Sequence, residues 1–145
     1  MRPIHDMNPF KFASSIAAAN NEKKFKKHFE SAEEKFSEGR YQEAINSWHL
    51  AITFLPGGLS NEYAYTLYIE IAKCHMIQGN FQEAIENYSN SIQLNPTDSH
   101  SYITRGCLRK KLGEISEAKE DLRRAVELGD ERGLEVLEQW EAEES

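Results

Sequence analysis

The sequence has 145 residues, a length that predicts a single domain whose core needs neither a metal ion nor a disulfide bond. Its hydrophobic content of 39% and charged content of 28% are typical of a soluble α-helical protein and argue against a disordered chain. The net charge of -7 disfavours nucleic acid as a partner, and no apolar run approaches the roughly 20 residues that a membrane helix needs.

The charge is distributed unevenly along the chain. Residues 1–30 carry six basic and three acidic side chains, whereas residues 113–145 carry four basic and twelve acidic ones. Ends of opposite sign can orient a charged partner or steer self-association. A solvated surface without a partner is the alternative, and it is the favoured interpretation of the acidic end.

Residues 1–22 form an N-terminal extension that lacks the pattern found in the rest of the chain. Asn8 is a suitable cap for a short helix with Pro9 in its first turn. One face of that helix would then be apolar, formed by Phe10, Ala13, Ile16 and Ala17. A mobile tail is one alternative. A secretory signal is another, but its apolar core would be too short.

A run of lysines follows the extension, made up of Lys23, Lys24, Lys26 and Lys27. Such a run can indicate a nucleic-acid-binding or localisation patch. Here the lysines alternate with phenylalanines, a pattern more typical of a solvated helix face around apolar anchors. We therefore predict that the run opens the first helix of the main domain, residues 23–145.

One sequence pattern recurs three times in this domain. Its clearest copy, from Gly79 to Pro96, reads GNFQEAIENYSNSIQLNP, in which a glycine, an aromatic residue, an alanine and a tyrosine precede a proline. Related copies start at Gly39 and at Gly113. Glycine at these positions can adopt the left-handed conformation that a tight turn after a helix requires. Three copies with a period near 34 residues predict a helical repeat protein.

The three copies resemble the tetratricopeptide repeat (TPR), a helix–turn–helix unit with small and large apolar residues at fixed positions. They cover about residues 25–58, 65–98 and 99–132. The resemblance implies an all-α fold, a TPR-type α-α superhelix in which the helical hairpins form a right-handed solenoid. The third copy departs from the pattern, because Arg105 and Arg109 occupy positions where the family has large apolar residues.

Two further segments lie beside the copies. Residues Leu59 to Ala64 separate the first copy from the second, and they either extend the next helix from a cap at Ser60, the favoured interpretation, or form a loop. After the last copy, a helix over about residues 130–143 is expected, with Asp130 as its cap. It would cover the end of the array with an apolar stripe, formed by Leu134, Leu137 and Trp140.

No arrangement of residues in the sequence indicates catalysis. It has no phosphate-binding glycine loop, no nucleophile elbow and no histidines at metal-ligand spacing. Cys74 and Cys107 are predicted on neighbouring helices, whose axes pack ~8–10 Å apart, too far for easy disulfide formation. Reduced thiols favour a reducing compartment, so we expect a cytoplasmic protein. We also expect no enzyme activity, no cofactor and no metal site.

The resemblance implies that a partner binds in a concave groove lined by the first helix of each repeat. Carried over to this sequence, the expected groove residues are Lys26, Phe29, Glu33, Phe36, Ile69, Lys73, Met76, Ile77, His100, Ile103, Cys107 and Lys110. Chaperone-binding members hold a peptide's C-terminal carboxylate with Lys, Asn and Arg residues. The matching positions here are Phe29, Glu33, Glu70, His100 and Thr104. Binding of heat-shock protein tails is therefore not supported.

The expected groove is apolar in its middle and flanked by Lys73, Lys110 and Lys111. This composition favours a peptide or helix with hydrophobic anchors and some acidic groups. Packing against the chain's own N-terminal helix or a second copy is the alternative. The predicted function is protein–protein interaction. The alternative functions are a self-associating structural protein that uses the groove for homodimerisation, and an enzyme with an unrecognised site.

Overall fold

The computed structural model describes residues 16–55 and 60–145, and within these ranges the protein has seven α-helices and no β-strand. They are α1 (Ile16–Ser37), α2 (Tyr41–Thr53), α3 (Ser60–Ile77), α4 (Phe81–Leu94), α5 (Ser99–Lys111), α6 (Ile115–Glu127) and α7 (Arg132–Glu144). The predicted all-α fold is confirmed. The predicted helix cap at Asn8 lies outside the described residues.

The chain divides into two compact units, one ending at Leu67 and the other running from Tyr68 to Ser145. The division falls inside α3, so the first turns of this helix belong to the first unit and the last turns to the second. Each unit has its own set of buried apolar side chains.

In the first unit, α1 and α2 pack together as a helical hairpin. Ala32 on α1 and Ala44 on α2 are fully buried in the contact between the two helices. Their small side chains let the two backbones approach closely. The ring of Phe36 lies 5.7 Å from that of Trp48 and 5.6 Å from that of Tyr41. These aromatic contacts fill the space beside the alanines.

Helix α1 begins earlier than the sequence analysis expected. The predicted boundary between the extension and the repeat domain lies between residues 22 and 23, but α1 runs through this point from Ile16. The segment IAAANNE at residues 16–22 contains three alanines and neither glycine nor proline, so nothing in it favours a helix end. These residues continue the first helix of the first hairpin.

The predicted turns are built by glycines in the left-handed conformation. Gly39, Gly79 and Gly113 have φ angles of 76°, 78° and 83°. After each glycine, the next backbone N–H bonds back to a carbonyl five residues earlier, as from Asn80 N to His75 O at 2.8 Å. This bond satisfies a carbonyl that the end of the helix would otherwise leave unpaired. Gly129, at 89°, ends α6 in the same way, although the sequence analysis did not single it out.

In the second unit, α4 packs against α5, α5 against α6, and α6 against α7. One buried cluster joins α3, α4 and α5 through Ala72, Tyr88 and Leu108. Close approach between α5 and α6 depends on Gly106, because an added Cβ there would lie 3.0 Å from the Ala118 carbonyl oxygen. Small residues at such positions are what the repeat pattern predicts.

The apolar face of α7 differs from the predicted stripe. Leu137 and Trp140 are buried against α6 residues, as predicted, but Leu134 is 46% exposed. Gly133 takes its place, packed so closely that an added Cβ would lie 2.7 Å from the Leu122 carbonyl oxygen. Residues 133, 137 and 140 share one helix face, and Leu134 points roughly 100° away from Gly133. The expectation for Leu134 was therefore wrong.

The segment between the first two copies is helical. Helix α3 begins at Ser60 and continues to Ile77, so the favoured interpretation, an extension of the helix, is confirmed over that of a loop. Ser60 is the first helical residue and not the flanking cap, a difference of one position at a helix end. Leu59 lies outside the described residues.

The two arginines that depart from the repeat pattern meet a buried carboxylate on α6. Asp121 is only 3% exposed, and its oxygens accept bonds from Arg105 Nη2 at 2.6 Å and from Arg109 Nη1 at 2.8 Å. Arg105 also donates to Ser89 Oγ on α4 at 2.9 Å. An ionic network therefore replaces apolar packing at this point and joins α4, α5 and α6.

Candidate functional site

The structure places the twelve expected groove residues on α1, α3 and α5, the first helices of the three hairpins. Four of them belong to the first unit, namely Lys26, Phe29, Glu33 and Phe36. Eight belong to the second unit, namely Ile69, Lys73, Met76, Ile77, His100, Ile103, Cys107 and Lys110. Their role in binding stays a prediction.

Four apolar side chains in the second unit are held in a half-buried state. Ile69 and Met76 on α3 pack against the cluster that joins α3, α4 and α5. Ile103 and Cys107 on α5 pack against the cluster formed by α6 and α7. Each of these side chains packs against a buried cluster on one side and is exposed to solvent on the other. Their positions are therefore fixed before a partner binds. Ile77, by contrast, is 54% exposed.

The lysines of this face already have neighbours within the second unit. Lys73 Nζ donates to Glu70 Oε1 at 2.7 Å, and Lys111 Nζ lies 5.1 Å from the centre of the Phe81 ring. Both contacts are partly exposed, so the lysine charge remains accessible to a partner.

Lys110 has a different environment from the one expected. Its Nζ donates to Glu143 Oε2 at 2.6 Å and lies 4.6 Å from the centre of the Trp140 ring, so both neighbours are on α7. Lys110 also holds the pKa of the Glu143 carboxyl below its ordinary value through this hydrogen bond. The residue therefore fastens α7 to α5, a role that the sequence analysis did not predict.

Burial raises the pKa of three weakly acidic side chains in this unit. It raises the pKa of the Cys74 thiol to about 11 and that of the Tyr88 hydroxyl to about 12, and it also raises the pKa of Cys107. Cys74 and Cys107 are both free thiols. A thiol with a raised pKa carries little thiolate at neutral pH and is a poor nucleophile or metal ligand.

The groove residues of the first unit have separate environments. Phe36 belongs to the aromatic contacts between α1 and α2 and is half-buried there. Lys26 and Glu33 are exposed. The Nζ atom of Lys26 lies 3.8 Å from Oε1 of Glu30 and forms an ion pair with it. Phe29 lines a cleft of about 300 Å³ between α1 and the start of α3.

The cleft beside Phe29 was missed by the sequence analysis. Its other walls come from the first turns of α3 and include Tyr63, Tyr65 and Leu67. Phe25 extends the aromatic surface, with its ring 5.9 Å from Phe29 and 6.3 Å from Tyr63. The sequence did contain a sign of this cleft. Residues 62 and 63 precede residue 66 by one helical turn, so they lie on the same face of α3 as the expected groove residues.

A further cavity of about 480 Å³ lies over α5 and α6. Arginines and acidic residues alternate around it, among them Arg105, Asp121 and Glu117. Such mixed charge gives no preference for a ligand of either sign. Among the described residues, no group of three or more His, Cys, Asp and Glu side chains is placed to hold a metal ion. No helix in the described ranges has the length and apolar character required to cross a bilayer.

Two sequence models of the tetratricopeptide repeat match this chain, one over residues 65–98 and the other over residues 99–128. The two matches adjoin and together cover α3 from Tyr65, all of α4 and α5, and α6. No curated protein matches the sequence.

Solved structures of similar fold include three informative ones. The Arabidopsis OM64 TPR domain has a TM-score of 0.67 at 21% identity, covering 86% of this chain and 99% of that one. The Yersinia enterocolitica type III secretion chaperone SycD, in complex with a peptide of the translocator YopD, has a TM-score of 0.66 at 17% identity, with coverage of 83% and 94%. The first TPR of Spaghetti (RPAP3), bound to the HSP90 peptide SRMEEVD, has a TM-score of 0.65 at 24% identity, with coverage of 85% and 98%.

At these identities the likeness concerns the fold alone. The repeats identified from sequence and the helical hairpins of the structure nevertheless agree in position and kind. Residues 65–128 of this chain are tetratricopeptide repeats.

Proposed function

We propose that this protein is an adaptor that binds a segment of another protein along the exposed face of α3 and α5 in the second unit. The observation that carries the proposal is the set of half-buried apolar side chains on this face, namely Ile69, Met76, Ile103 and Cys107. These side chains pack against buried clusters and leave part of their apolar surface exposed. A site that anchors a peptide or helix requires both properties. SycD and Spaghetti, which share the fold, are both seen with bound peptides.

The proposed partner segment has apolar anchors flanked by acidic groups. Lys73 and Lys111 lie beside the apolar face and retain exposed charge, whereas Lys110 is engaged by α7. A free C-terminal carboxylate is not the proposed determinant, because the positions used for it in chaperone-binding members hold other residues. One of them, Glu70, is negatively charged and paired with Lys73.

Affinity capture from an extract of the source organism tests the proposal with the variant Ile69→Glu plus Ile103→Glu. Two carboxylates on the apolar face should repel an acidic, apolar segment, so a partner retained by the wild type should be lost. The matched control is Leu50→Glu plus Leu112→Glu, which places the same charges at exposed apolar positions outside the proposed face. Circular dichroism checks that both variants fold.

A second variant covers the case in which the half-buried substitutions disturb folding. Lys73→Glu plus Lys111→Glu changes only partly exposed side chains and should weaken capture by roughly tenfold or more, with a strong dependence on salt. Equal capture by the wild type and both face variants would contradict the proposed site. If the only protein captured is another copy of this chain, the result would favour homodimerisation through this face.

A further inference from the structure

The aromatic cleft between α1 and α3 lies wholly within the first unit. Its lining combines aromatic, aliphatic and polar side chains, namely Phe29, Glu62, Tyr63, Tyr65, Thr66 and Leu67. Its volume of about 300 Å³ is at the small end of the range of ligand sites, which extends to roughly 1,000 Å³. The cleft is therefore suited to one long side chain of a partner.

The aromatic rings of the cleft are supported by a third ring. Phe29 is half-buried and Tyr63 is 46% exposed, so both present ring surface to an occupant. The ring of Phe25 lies 5.9 Å from that of Phe29 and 6.3 Å from that of Tyr63, and it holds the two in place. Aromatic surface binds both apolar groups and cations, so the rings alone do not decide between them.

The carboxylate of Glu62 decides in favour of a cation. Glu62 lines the cleft, is exposed and has no ion pair with any described residue. An apolar occupant would displace water from this carboxylate and offer no replacement partner, which costs binding free energy. A cationic occupant supplies the missing partner and also binds favourably against the rings.

The neighbouring charges on α1 agree with a cationic occupant. No basic residue lines the cleft. Lys26, three residues before Phe29, is paired with Glu30. Glu33, one helical turn after Phe29, is exposed and has no ion pair in the described part of the chain. It therefore adds a second carboxylate on this side of α1.

The other lysines of α1 lie on different sides of the helix. Lys27 precedes Phe29 by two residues, so the two side chains point roughly 160° apart, and Lys23 has the same relation to Phe25. Lys24 lies over the ring of Phe54, at 5.0 Å. These lysines are thus not placed to repel a cation in the cleft.

We propose that this cleft binds an arginine side chain of a partner protein. The guanidinium group stacks against the rings of Phe29 and Tyr63 and donates to the carboxylate of Glu62. Arginine is preferred to lysine because its planar group stacks on aromatic rings, donates two parallel bonds to a carboxylate and is more weakly hydrated. The proposal does not rest on the proposed function, which concerns a different face and a segment with acidic groups.

Titration of the full chain with a blocked amino acid tests the proposal. N-acetyl-arginine methylamide is added to isotopically labelled protein, and backbone amide shifts are followed by nuclear magnetic resonance. A single side chain should bind weakly, with a Kd of about 10 mM, and should shift Phe29, Glu62 and Tyr63 most. The matched probe is N-acetyl-citrulline methylamide, which has nearly the same shape without the charge. It should bind at least about fivefold more weakly.

Three variants at exposed positions separate the contributions of the site. Glu62→Gln should lower the affinity for the arginine probe by about fivefold and leave that for citrulline unchanged, so the preference disappears. Tyr63→Leu keeps an apolar side chain but removes the ring, and it should lower the affinity for the arginine probe by about threefold. Glu34→Gln removes the same charge from another side of α1 and should bind as the wild type does.

Two results of these titrations would overturn the proposal. The first is equal binding of the two probes by the wild type, and the second is a preference for arginine that persists in Glu62→Gln. Residues 1–15 contain Arg2 and Lys11, so the chain's own N-terminal segment is the alternative occupant. Arg2→Gln plus Lys11→Gln should bind the arginine probe as the wild type does. A several-fold gain in this variant would assign the cleft to that segment and overturn the proposal as well.

Discussion

At the scale of single residues, backbone conformation and close contact explain why particular positions are glycine. Gly79 has a φ of 78° and nothing within 4 Å of where a Cβ would stand, so its conformation is the whole reason for glycine. Gly133 has the opposite reason, because its missing Cβ would meet the Leu122 carbonyl oxygen at 2.7 Å. The first kind was predictable from the sequence, because a turn glycine recurs with the repeat. The second was not, because a close contact depends on how α6 and α7 pack.

We predict that Gly79→Ala lowers the free energy of unfolding by about 1 kcal/mol, the typical cost of holding an alanine in the left-handed region. Gly79→Asn should cost less, because asparagine tolerates this conformation better. Gln78→Ala, at an exposed position in the same turn, should change stability by less than about 0.5 kcal/mol. Urea unfolding followed by circular dichroism measures all three. Equal stability of the wild type and Gly79→Ala would contradict the conformational argument.

At the scale of the helices, the ionic network on Asp121 shows what a sequence pattern leaves open. The sequence identified Arg105 and Arg109 as exceptions to apolar packing, but the chain has many carboxylates and no pattern selects Asp121 among them. Asp121 pairs with the two arginines because α5 and α6 pack together with these three residues at the same level along the helix axes. The contacts of Lys110 were likewise not predictable from the sequence. Lys110 was expected to contact a partner, and it instead contacts Glu143 and Trp140 on α7.

Removing the buried carboxylate should be far more harmful than removing the whole network. Asp121→Ala leaves the largely buried Arg105 without its counterion and Arg109 with only the more distant carboxylate of Glu114, so we expect a loss of about 3 kcal/mol in unfolding free energy. Replacing Arg105, Arg109 and Asp121 together by leucine should recover most of that loss, because apolar residues are usual at the two α5 positions. Glu120→Ala is the exposed control on α6. A triple variant no more stable than Asp121→Ala would show that the network is not exchangeable for apolar packing.

At the scale of the whole molecule, the repeat pattern predicted the all-α fold, the helical hairpins and the terminal helix. It did so because a repeat imposes its spacing of small and large residues on every copy. It did not predict the start of α1 at Ile16, which lies outside the repeats, or the aromatic cleft, which is completed by Tyr63 from the insertion between two copies. The groove residues were named from the family likeness, and their role in binding is still a prediction.

The most direct test of the proposed function locates a bound segment on the protein. A peptide identified from the captured partner is titrated into isotopically labelled protein, and backbone amide shifts are followed by nuclear magnetic resonance. The proposal predicts that the largest changes fall on α3 and α5 around Ile69, Met76, Ile103 and Cys107, and that they vanish in the Ile69→Glu plus Ile103→Glu variant. Changes concentrated on α4 and α6, with those four residues unaffected, would contradict it.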